Sequence, residues 1–218
     1  MRKLLVRVLH PFLRKWYSAH NGAPRYYRTD GLDLVVLPGV FHPGFFHSTA
    51  LLAEHIATFD LKGRRFLELG AGTGRIALTA ARAGAVVTAS DINPKALENV
   101  RLNAARNNLP ADAVLSDLFD RLPGQFDIIA INPPYYQRDP ATDAERAFLA
   151  GADHQYFRRL FPALAQRVDL GTQVVMVLSA DVDLDPIAAI AQPSGLHFTE
   201  VRRKKRWGEA QVIFSVHR

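Results

Sequence analysis

Short, uninterrupted apolar runs alternate with amphipathic helical segments from residue 64 onward, and this alternation restricts the fold more than any other feature of the sequence. The run at 174–178 is apolar at every position rather than at alternate positions. A strand of this kind is buried on both faces, which is typical of a parallel sheet covered by helices on both sides. The sequence therefore predicts a doubly wound α/β fold whose ligands bind beyond the carboxyl ends of the strands.

The periodicity and the turn signals give the predicted elements. Buried strands are predicted at 65–69, 85–90, 113–115, 126–131 and 172–178, helices at 75–83, 94–107, 154–168 and 185–191, and a closing antiparallel pair at 197–203 and 211–216. Pro162 is expected to interrupt or kink its helix. Ahead of the alternation, Asp30 and Gly31 predict a tight hairpin between strands at 25–29 and 32–37. Ser48 or Thr49 is expected to cap a helix that runs to residue 59.

Length and composition limit the classes of protein. The 218 residues, 48% of them hydrophobic, support one compact domain at 46–218 with an N-terminal extension at 1–45. The sequence contains no cysteine, which excludes a disulfide scaffold, thiolate zinc sites and thiol catalysis. We expect a cytoplasmic location from this cysteine usage. The net charge of +6 favours polyanionic partners.

The N-terminal segment combines basic residues with apolar residues at helical spacing over 4–13. We expect neither a secretory signal nor a transmembrane segment, because basic residues interrupt every apolar run there. The favoured interpretation is a helix that caps the domain. The alternative is weak association of this basic helix with a substrate or a membrane surface. The sequence does not indicate which oligomeric state the protein adopts.

Three alternate glycines, Gly70, Gly72 and Gly74, follow the predicted strand at 65–69 and lead into a helix. Such a turn lets the backbone approach a ligand, and the helix N-terminus beyond it offers free N–H groups. A dinucleotide fingerprint requires its third glycine at position 75, which is Arg75. Glu68 beside the turn would disfavour a pyrophosphate but tolerate a zwitterionic or cationic ligand.

Acidic residues end the next two predicted strands. Asp91, followed by Ile92 and Asn93, can accept hydrogen bonds from both hydroxyls of a ribose. Asp117, followed by Leu118, can accept from an adenine amino group, although a turn or cap role explains it equally well. Together these residues predict a nucleoside-containing ligand.

An apolar strand at 126–131 runs into Asn132, Pro133, Pro134 and Tyr135. Successive prolines remove this backbone from a regular ladder, so the Asn132 side-chain oxygen and the Pro133 carbonyl can converge on one point. Two acceptors at one point hold both hydrogens of a planar NH2 group and direct its nitrogen. Tyr135 can offer an aromatic surface to a planar amide or base.

With these motifs in this order, the chain resembles the class I S-adenosylmethionine methyltransferases, specifically the small-domain branch that includes HemK-related glutamine methyltransferases and nucleic-acid amino-methyltransferases. The resemblance covers the chain from about residue 40 and implies a Rossmann-like seven-stranded sheet with an antiparallel last strand. It implies that the three glycines line the methionine moiety, that Asp91 binds the ribose, and that Asp117 and Leu118 bind the adenine. The residues expected at the cofactor are Glu68, Gly70, Ala71, Gly72, Thr73, Gly74, Asp91, Ile92, Asn93, Asp117, Leu118 and Asn132, and those expected at the acceptor amine are Asn132, Pro133, Pro134 and Tyr135. Phe45, Phe46 and Thr49 either cover the cofactor or pack in the core.

The predicted activity is methyl transfer from S-adenosylmethionine to a planar amino nitrogen of a macromolecule. Basic charge favours an exocyclic base amine of RNA or DNA, while a protein glutamine amide is the alternative acceptor. A non-catalytic, methyltransferase-like nucleic-acid-binding module is the alternative of another class. A nicotinamide-dependent oxidoreductase would share Asp91 but would leave the Asn-Pro-Pro-Tyr segment unexplained.

Three further features carry weaker predictions. His42 and His47 lack a third ligand at suitable spacing, so no metal site is expected. The basic run at 202–207 forms either a solvated sheet edge or a phosphate-contacting strand. The polar segment at 136–151 is expected to form a loop over the acceptor and to determine its identity.

Overall fold

A computed structural model describes residues 22–44, 47–122, 124–206 and 208–218. The predicted N-terminal helix and Phe45 and Phe46 lie outside the described residues. Strands β1 (Arg25–Thr29) and β2 (Leu32–Val36) form an antiparallel two-stranded sheet. Their turn residues Asp30 and Gly31 have φ values of 50° and 72°, the left-handed conformation that a two-residue hairpin turn requires. The predicted hairpin is therefore confirmed.

The main sheet has seven strands in the order β5-β4-β3-β6-β7-β9-β8. Its strands are β3 (Arg65–Leu69), β4 (Val86–Asp91), β5 (Asp112–Leu115), β6 (Ile128–Ile131), β7 (Gln173–Ser179), β8 (His197–Arg206) and β9 (Glu209–His217). The first five in chain order pair in parallel, and β9 pairs antiparallel with both β7 and β8. This topology confirms the predicted doubly wound sheet with an antiparallel last strand. The strand order changes direction at β3, so the switch point lies between β3 and β6.

Helices cover both faces of the sheet. They are α1 (His47–Ile56), α2 (Arg75–Arg82), α3 (Pro94–Asn107), α4 (Gln155–Ala165) and α5 (Leu184–Ala191). One buried apolar cluster joins α1 and α2 to one face, and another joins α4 and α5 to the opposite face. Strand β6 is fully buried because it contacts both clusters. The predicted cap of α1 is wrong, since Ser48 and Thr49 lie inside the helix, which ends at Ile56.

Asparagines spaced four residues apart on α3 fix the hairpin to the main domain. Their side-chain oxygens each accept a backbone N–H from β2 or from the residue after it, at 2.8 Å, in the pairs Asn107–Asp33, Asn103–Val35 and Asn99–Leu37. Their amide nitrogens return hydrogen bonds to carbonyls of the same segment. The side-chain amides thus replace a neighbouring strand, and they hold the chain that leaves β2 beside the sheet. The proposed domain division at residue 45 stays a prediction.

Among the described residues, no helix is both long and apolar enough to cross a membrane.

Candidate functional site

The glycine-rich turn connects β3 to α2 at the switch point of the sheet. Gly70, Gly72 and Gly74 have φ values of 78°, 54° and 77°, which L-residues rarely adopt. A Cβ atom at Gly70 would meet no atom within 4 Å, so this backbone faces open space. A Cβ atom at Gly74 would lie 3.1 Å from Val100 of α3. Gly70 therefore exposes the backbone to a ligand, whereas Gly74 permits close packing of the turn against a helix.

Glu68 is buried under the turn, and its Oε2 accepts the Ala77 N–H of α2 at 2.7 Å. Burial, with a smaller contribution from nearby Asp91, raises the pKa of Glu68 to about 8, and the hydrogen bond from Ala77 opposes part of this increase. An anionic carboxylate is costly in this environment unless a cation lies beside it. Glu68 thus provides a site that is neutral when empty and favours positive charge.

Asp91 ends β4, and one of its carboxylate oxygens bonds to the glycine-rich turn while the other bonds to the segment after β4. Oδ2 accepts the Gly72 N–H at 2.9 Å and Oδ1 accepts the Asn93 N–H at 2.8 Å. Burial raises the pKa of Asp91, while these backbone hydrogen bonds oppose the increase. Each carboxylate oxygen has a second lone pair, so Asp91 can still accept hydrogen bonds from two ligand hydroxyls. Asn93 caps α3 by accepting the Lys95 N–H, and Ile92 is half exposed.

Asp117 follows β5 and forms an ion pair with Arg159 of α4, with 2.7 Å between Oδ2 and Nη2. Leu118 has a φ of 49°, an uncommon value for a residue with a side chain, which turns the backbone sharply after Asp117. Tyr156, also on α4, has a pKa raised first by burial and then by the charges of Asp91 and Asp117. Tyr156, Asp91 and Asp117 line the same cavity.

Asn132 leaves β6 at the same edge of the sheet. Its Nδ2 donates to Thr49 Oγ1 of α1 at 3.1 Å, and no described residue donates a hydrogen bond to its Oδ1. Pro133 is buried and Pro134 is partly buried. Tyr135 is only 9% exposed, and burial raises the pKa of its hydroxyl, which accepts a hydrogen bond from the side chain of Gln211.

The more exposed aromatic ring beside Asn132 belongs to Tyr136, which is 39% exposed and stands edge-to-face with Tyr135 at 4.9 Å between ring centroids. The structure thus gives Tyr135 a largely structural position at the wall of the site. Tyr136 is better placed to contact a planar group.

One cavity of about 590 Å³ joins these groups. Its glycine-turn side is lined by Glu68–Thr73, Asp91–Asn93, Asp117, Leu118, Tyr156 and Arg159. Its Asn132 side is lined by Thr49, Asn132–Tyr136 and loop residues within 139–151. The volume is within the range of sites for small ligands. Among the predicted site residues, only Gly74 does not line the cavity, because it faces Val100.

The loop at 136–151 covers the Asn132 side. It contains a 3₁₀ helix (Asp143–Ala147), and an isolated parallel bridge between Tyr136 and Leu149 joins its two ends. The Phe148 ring contacts the ring of Phe41, which follows β2, at 5.3 Å between centroids. The loop and the segment after the hairpin therefore meet at the wall of the cavity, which both rings line.

The histidines and the basic run singled out in the sequence have other contacts in the structure. In the described parts of the chain, no cluster of three or more histidine, aspartate or glutamate side chains could hold a metal. His42 Nδ1 instead accepts the Gly44 N–H at 3.1 Å. Within the basic run on β8, Arg202 and Lys204 pair with Glu54 of α1. These pairs favour a solvated sheet edge, and Trp207 lies outside the described residues.

Sequence reasoning missed Tyr156, Arg159, Phe41 and Phe148. Tyr156 and Arg159 are three positions apart on α4 and so lie on one helix face. This spacing was the sequence signal that could have identified them. Nothing in the sequence pairs Phe41 with Phe148, because they are over a hundred positions apart.

Comparison with known proteins places the site in a family. Residues 31–158 match the sequence profile of the methyltransferase small domain. The release factor glutamine methyltransferase of Agrobacterium fabrum is 44% identical over 117 residues, which are 50% of this chain and 40% of that protein. The ribosomal RNA small subunit methyltransferase C of Enterobacter sp. is 33% identical over 129 residues, which are 58% of this chain and 37% of that protein.

A solved structure of the T. thermophilus 16S rRNA N2 G1207 methyltransferase, in complex with AdoMet and guanosine, superimposes with a TM-score of 0.66 and 23% identity over 89% of this chain and 50% of that one. This likeness shows a shared fold. The chain spans about half the length, or less, of the curated relatives it matches. The profile covers more than half of the chain, including the glycine-rich turn, both acidic strand ends and the Asn-Pro-Pro-Tyr segment. The chain therefore belongs to the methyltransferase small domain family.

Proposed function

We propose that this protein is an S-adenosylmethionine-dependent N-methyltransferase that acts on a planar amino nitrogen of a macromolecule. The observation that carries the proposal is the single cavity in which the glycine-rich turn and Asn132 face the same space. A donor site and an acceptor site in one cavity allow direct transfer between two bound molecules without a covalent enzyme intermediate.

The glycine-turn side fits the proposed cofactor. Gly70 leaves open space at the backbone, where an amino-acid moiety can approach. Buried Glu68, with its raised pKa, favours a cationic ligand, and Asp91 retains acceptor capacity for a ribose. Asp117, Leu118 and Tyr156 would then hold the adenine. When bound, S-adenosylmethionine supplies an electrophilic methyl group on a positively charged sulfur.

The Asn132 side fits a planar NH2 group. Asn132 Oδ1 and the Pro133 carbonyl would accept its two hydrogens, and this arrangement would direct the nitrogen lone pair at the methyl carbon. No strong general base is needed, because the proton leaves the nitrogen after the new bond has formed. The contribution of the protein is then positioning, which can lower a barrier by several kcal/mol, on the order of 5.

The preferred acceptor is an exocyclic base amine of RNA or DNA. The net charge of +6 supports a polyanionic substrate, and the relatives include a ribosomal RNA methyltransferase. The second candidate acceptor is a protein glutamine amide, which the relation to a release factor glutamine methyltransferase supports. Both acceptors present the same NH2 geometry to Asn132.

A labelling experiment separates these acceptors. The protein is incubated with S-adenosylmethionine carrying a tritiated methyl group and with either protein-free total RNA or RNase-treated protein extract, both from cells that lack its gene. We expect label in RNA. Label in protein alone would replace the preferred acceptor with glutamine. Cofactor binding without transfer to either fraction would favour a non-catalytic module, and failure to bind S-adenosylhomocysteine would exclude the proposal.

A further inference from the structure

Thr49 is the described side chain that contacts the amide of Asn132. Its Oγ1 accepts a hydrogen bond from Asn132 Nδ2 at 3.1 Å, although the two residues are 83 positions apart in the chain. Thr49 is 6% exposed and lines the same cavity. The contact therefore crosses from α1 to the end of β6 inside the proposed site.

The hydrogen bond has a chemical consequence because the two ends of an asparagine amide differ. The oxygen accepts hydrogen bonds and the nitrogen donates them, while their shapes are nearly the same. An amide that turned by 180° would present N–H groups to an incoming NH2, so that two donors would face each other. With Nδ2 bonded to Thr49, Oδ1 is the end of the amide that remains for the acceptor amine.

We propose that Thr49 is a positioning residue that holds the Asn132 amide at this side of the cavity, where its Oδ1 is available to the acceptor amine. The inference rests on the proposed methyl transfer. Thr49 itself does not touch the reacting atoms in this arrangement; it acts through Asn132.

Packing of α1 makes Thr49 suited to this role. Leu51, Leu52 and Ile56 of the same helix are at most 2% exposed and belong to the core that covers the sheet. The helix backbone is thereby held against the strands, and a branched threonine side chain has few alternative rotamers in a helix. The hydroxyl is consequently presented to Asn132 from a rigid element.

The test compares Thr49→Val, which removes the oxygen and keeps the shape, with Thr49→Ser, which keeps the oxygen. Thr79→Val is the matched control, since Thr79 is 4% exposed on α2, loses a comparable hydroxyl and does not line the cavity. Turnover is measured as tritiated methyl transfer to whichever of the two cell fractions the parent protein labels, and affinity for S-adenosylhomocysteine is measured by calorimetry.

We expect Thr49→Val to lower turnover by about tenfold, with affinity for S-adenosylhomocysteine within about twofold of the parent. Thr49→Ser should recover turnover to within about threefold, and Thr79→Val should leave both quantities unchanged. The inference is overturned if Thr49→Val transfers methyl as fast as the parent, if serine fails to rescue, or if the loss of cofactor affinity equals the loss of turnover.

A second measurement does not depend on methyl transfer. In the ¹⁵N-labelled protein, the side-chain amide signals of Asn132 are assigned by their absence in Asn132→Asp. We expect Thr49→Val to shift these signals and to speed their hydrogen exchange, whereas Thr79→Val should do neither. Unchanged signals in Thr49→Val would refute the role of Thr49 even if methyl transfer is confirmed. Shifted signals in a protein that transfers no methyl would instead refute the proposed function alone.

Discussion

The two sides of the cavity obtain their polar groups in different ways. On the glycine-turn side, Glu68, Asp91 and Asp117 lie at or just beyond the carboxyl ends of three successive strands, and backbone N–H groups nearby fix the carboxyl groups of Glu68 and Asp91. On the Asn132 side, the key amide depends on Thr49, which comes from a helix far away in the chain. The first side is thus built from local strand-to-helix turns, whereas the second needs the complete tertiary structure.

The difference is also one of chemistry. The buried carboxyl groups of Glu68 and Asp91 on the glycine-turn side suit a ligand that carries positive charge. The Asn132 side offers neutral hydrogen-bond acceptors and aromatic rings from Tyr135 and Tyr136. One side can therefore select by charge, and the other can select by the direction of hydrogen bonds. Substitutions that affect only one of these properties test whether the two sides work separately.

The largest expected effect concerns the protonation of the buried Glu68 carboxyl group. Its pKa in the folded protein is about 8, above the usual value of about 4.5, so folding favours the protonated acid. The parent protein should lose stability as pH rises from about 5 to 8, by up to about 1.4 kcal/mol per pH unit, and change little from this group above 8. Glu68→Gln keeps an acceptor for the Ala77 N–H without this loss.

We therefore expect the variant to match the parent at pH 5 and to exceed its free energy of unfolding by about 4 kcal/mol at pH 9. Denaturant unfolding without cofactor measures the difference at pH 5, 7 and 9. A difference between the two proteins that stays constant over this range would show that Glu68 is charged in the empty site.

The next largest effect is a loss of turnover without a matching loss of cofactor affinity. Asn132→Ala removes the oxygen proposed to hold the acceptor amine, so we expect turnover to fall on the order of 100-fold. The affinity for S-adenosylhomocysteine should remain within about threefold of the parent, because Asp91 and the turn are unaffected. Rapid-quench transfer assays and calorimetry measure the two quantities. Equal losses in both would mean that the two sides of the cavity are not independent.

A substitution in the glycine-rich turn should mainly weaken cofactor binding, in contrast to Asn132→Ala. Gly70→Ala adds a methyl group in the space where the cofactor should bind. We expect affinity for S-adenosylhomocysteine to fall about 30-fold, which corresponds to about 2 kcal/mol of binding free energy. Gly63→Ala is the matched control, because Gly63 also has a positive φ, 71°, and open space around its Cβ position but lies outside the cavity. Both variants should lose similar stability, about 1 kcal/mol, from backbone strain. A comparable loss of affinity in the control would exclude direct blocking at Gly70.

The same contrast explains which parts of the molecule the sequence could predict. The hairpin turn at Asp30 and Gly31, the glycine-rich turn and the acidic strand ends depend on residues close together in the chain, and the structure has them where the sequence put them. Positive φ values and strand ends leave local signatures, since only certain residues tolerate them.

Contacts between distant segments left no such signature. The Asn132–Thr49 hydrogen bond and the Asp117–Arg159 ion pair require α1 and α4 to pack on the sheet first. The asparagines of α3 were a signal that could have been used, because polar residues at four-residue spacing on a buried helix face require partners. Tyr135 lines the cavity, but its burial among apolar side chains could not be predicted from the motif.

The smallest effect is expected where the loop meets the hairpin segment. Phe148→Ala removes the ring contact with Phe41 at the wall of the cavity, and such a contact contributes about 1 kcal/mol. We expect the concentration of acceptor fraction that gives half-maximal transfer to rise about threefold, with affinity for S-adenosylhomocysteine unchanged. Phe59→Ala is the control, because Phe59 packs its ring against His55 away from the cavity. If Phe148→Ala weakens binding of S-adenosylhomocysteine instead of binding of the acceptor, the loop belongs to the glycine-turn side of the cavity. The two sides are then not separated at this loop.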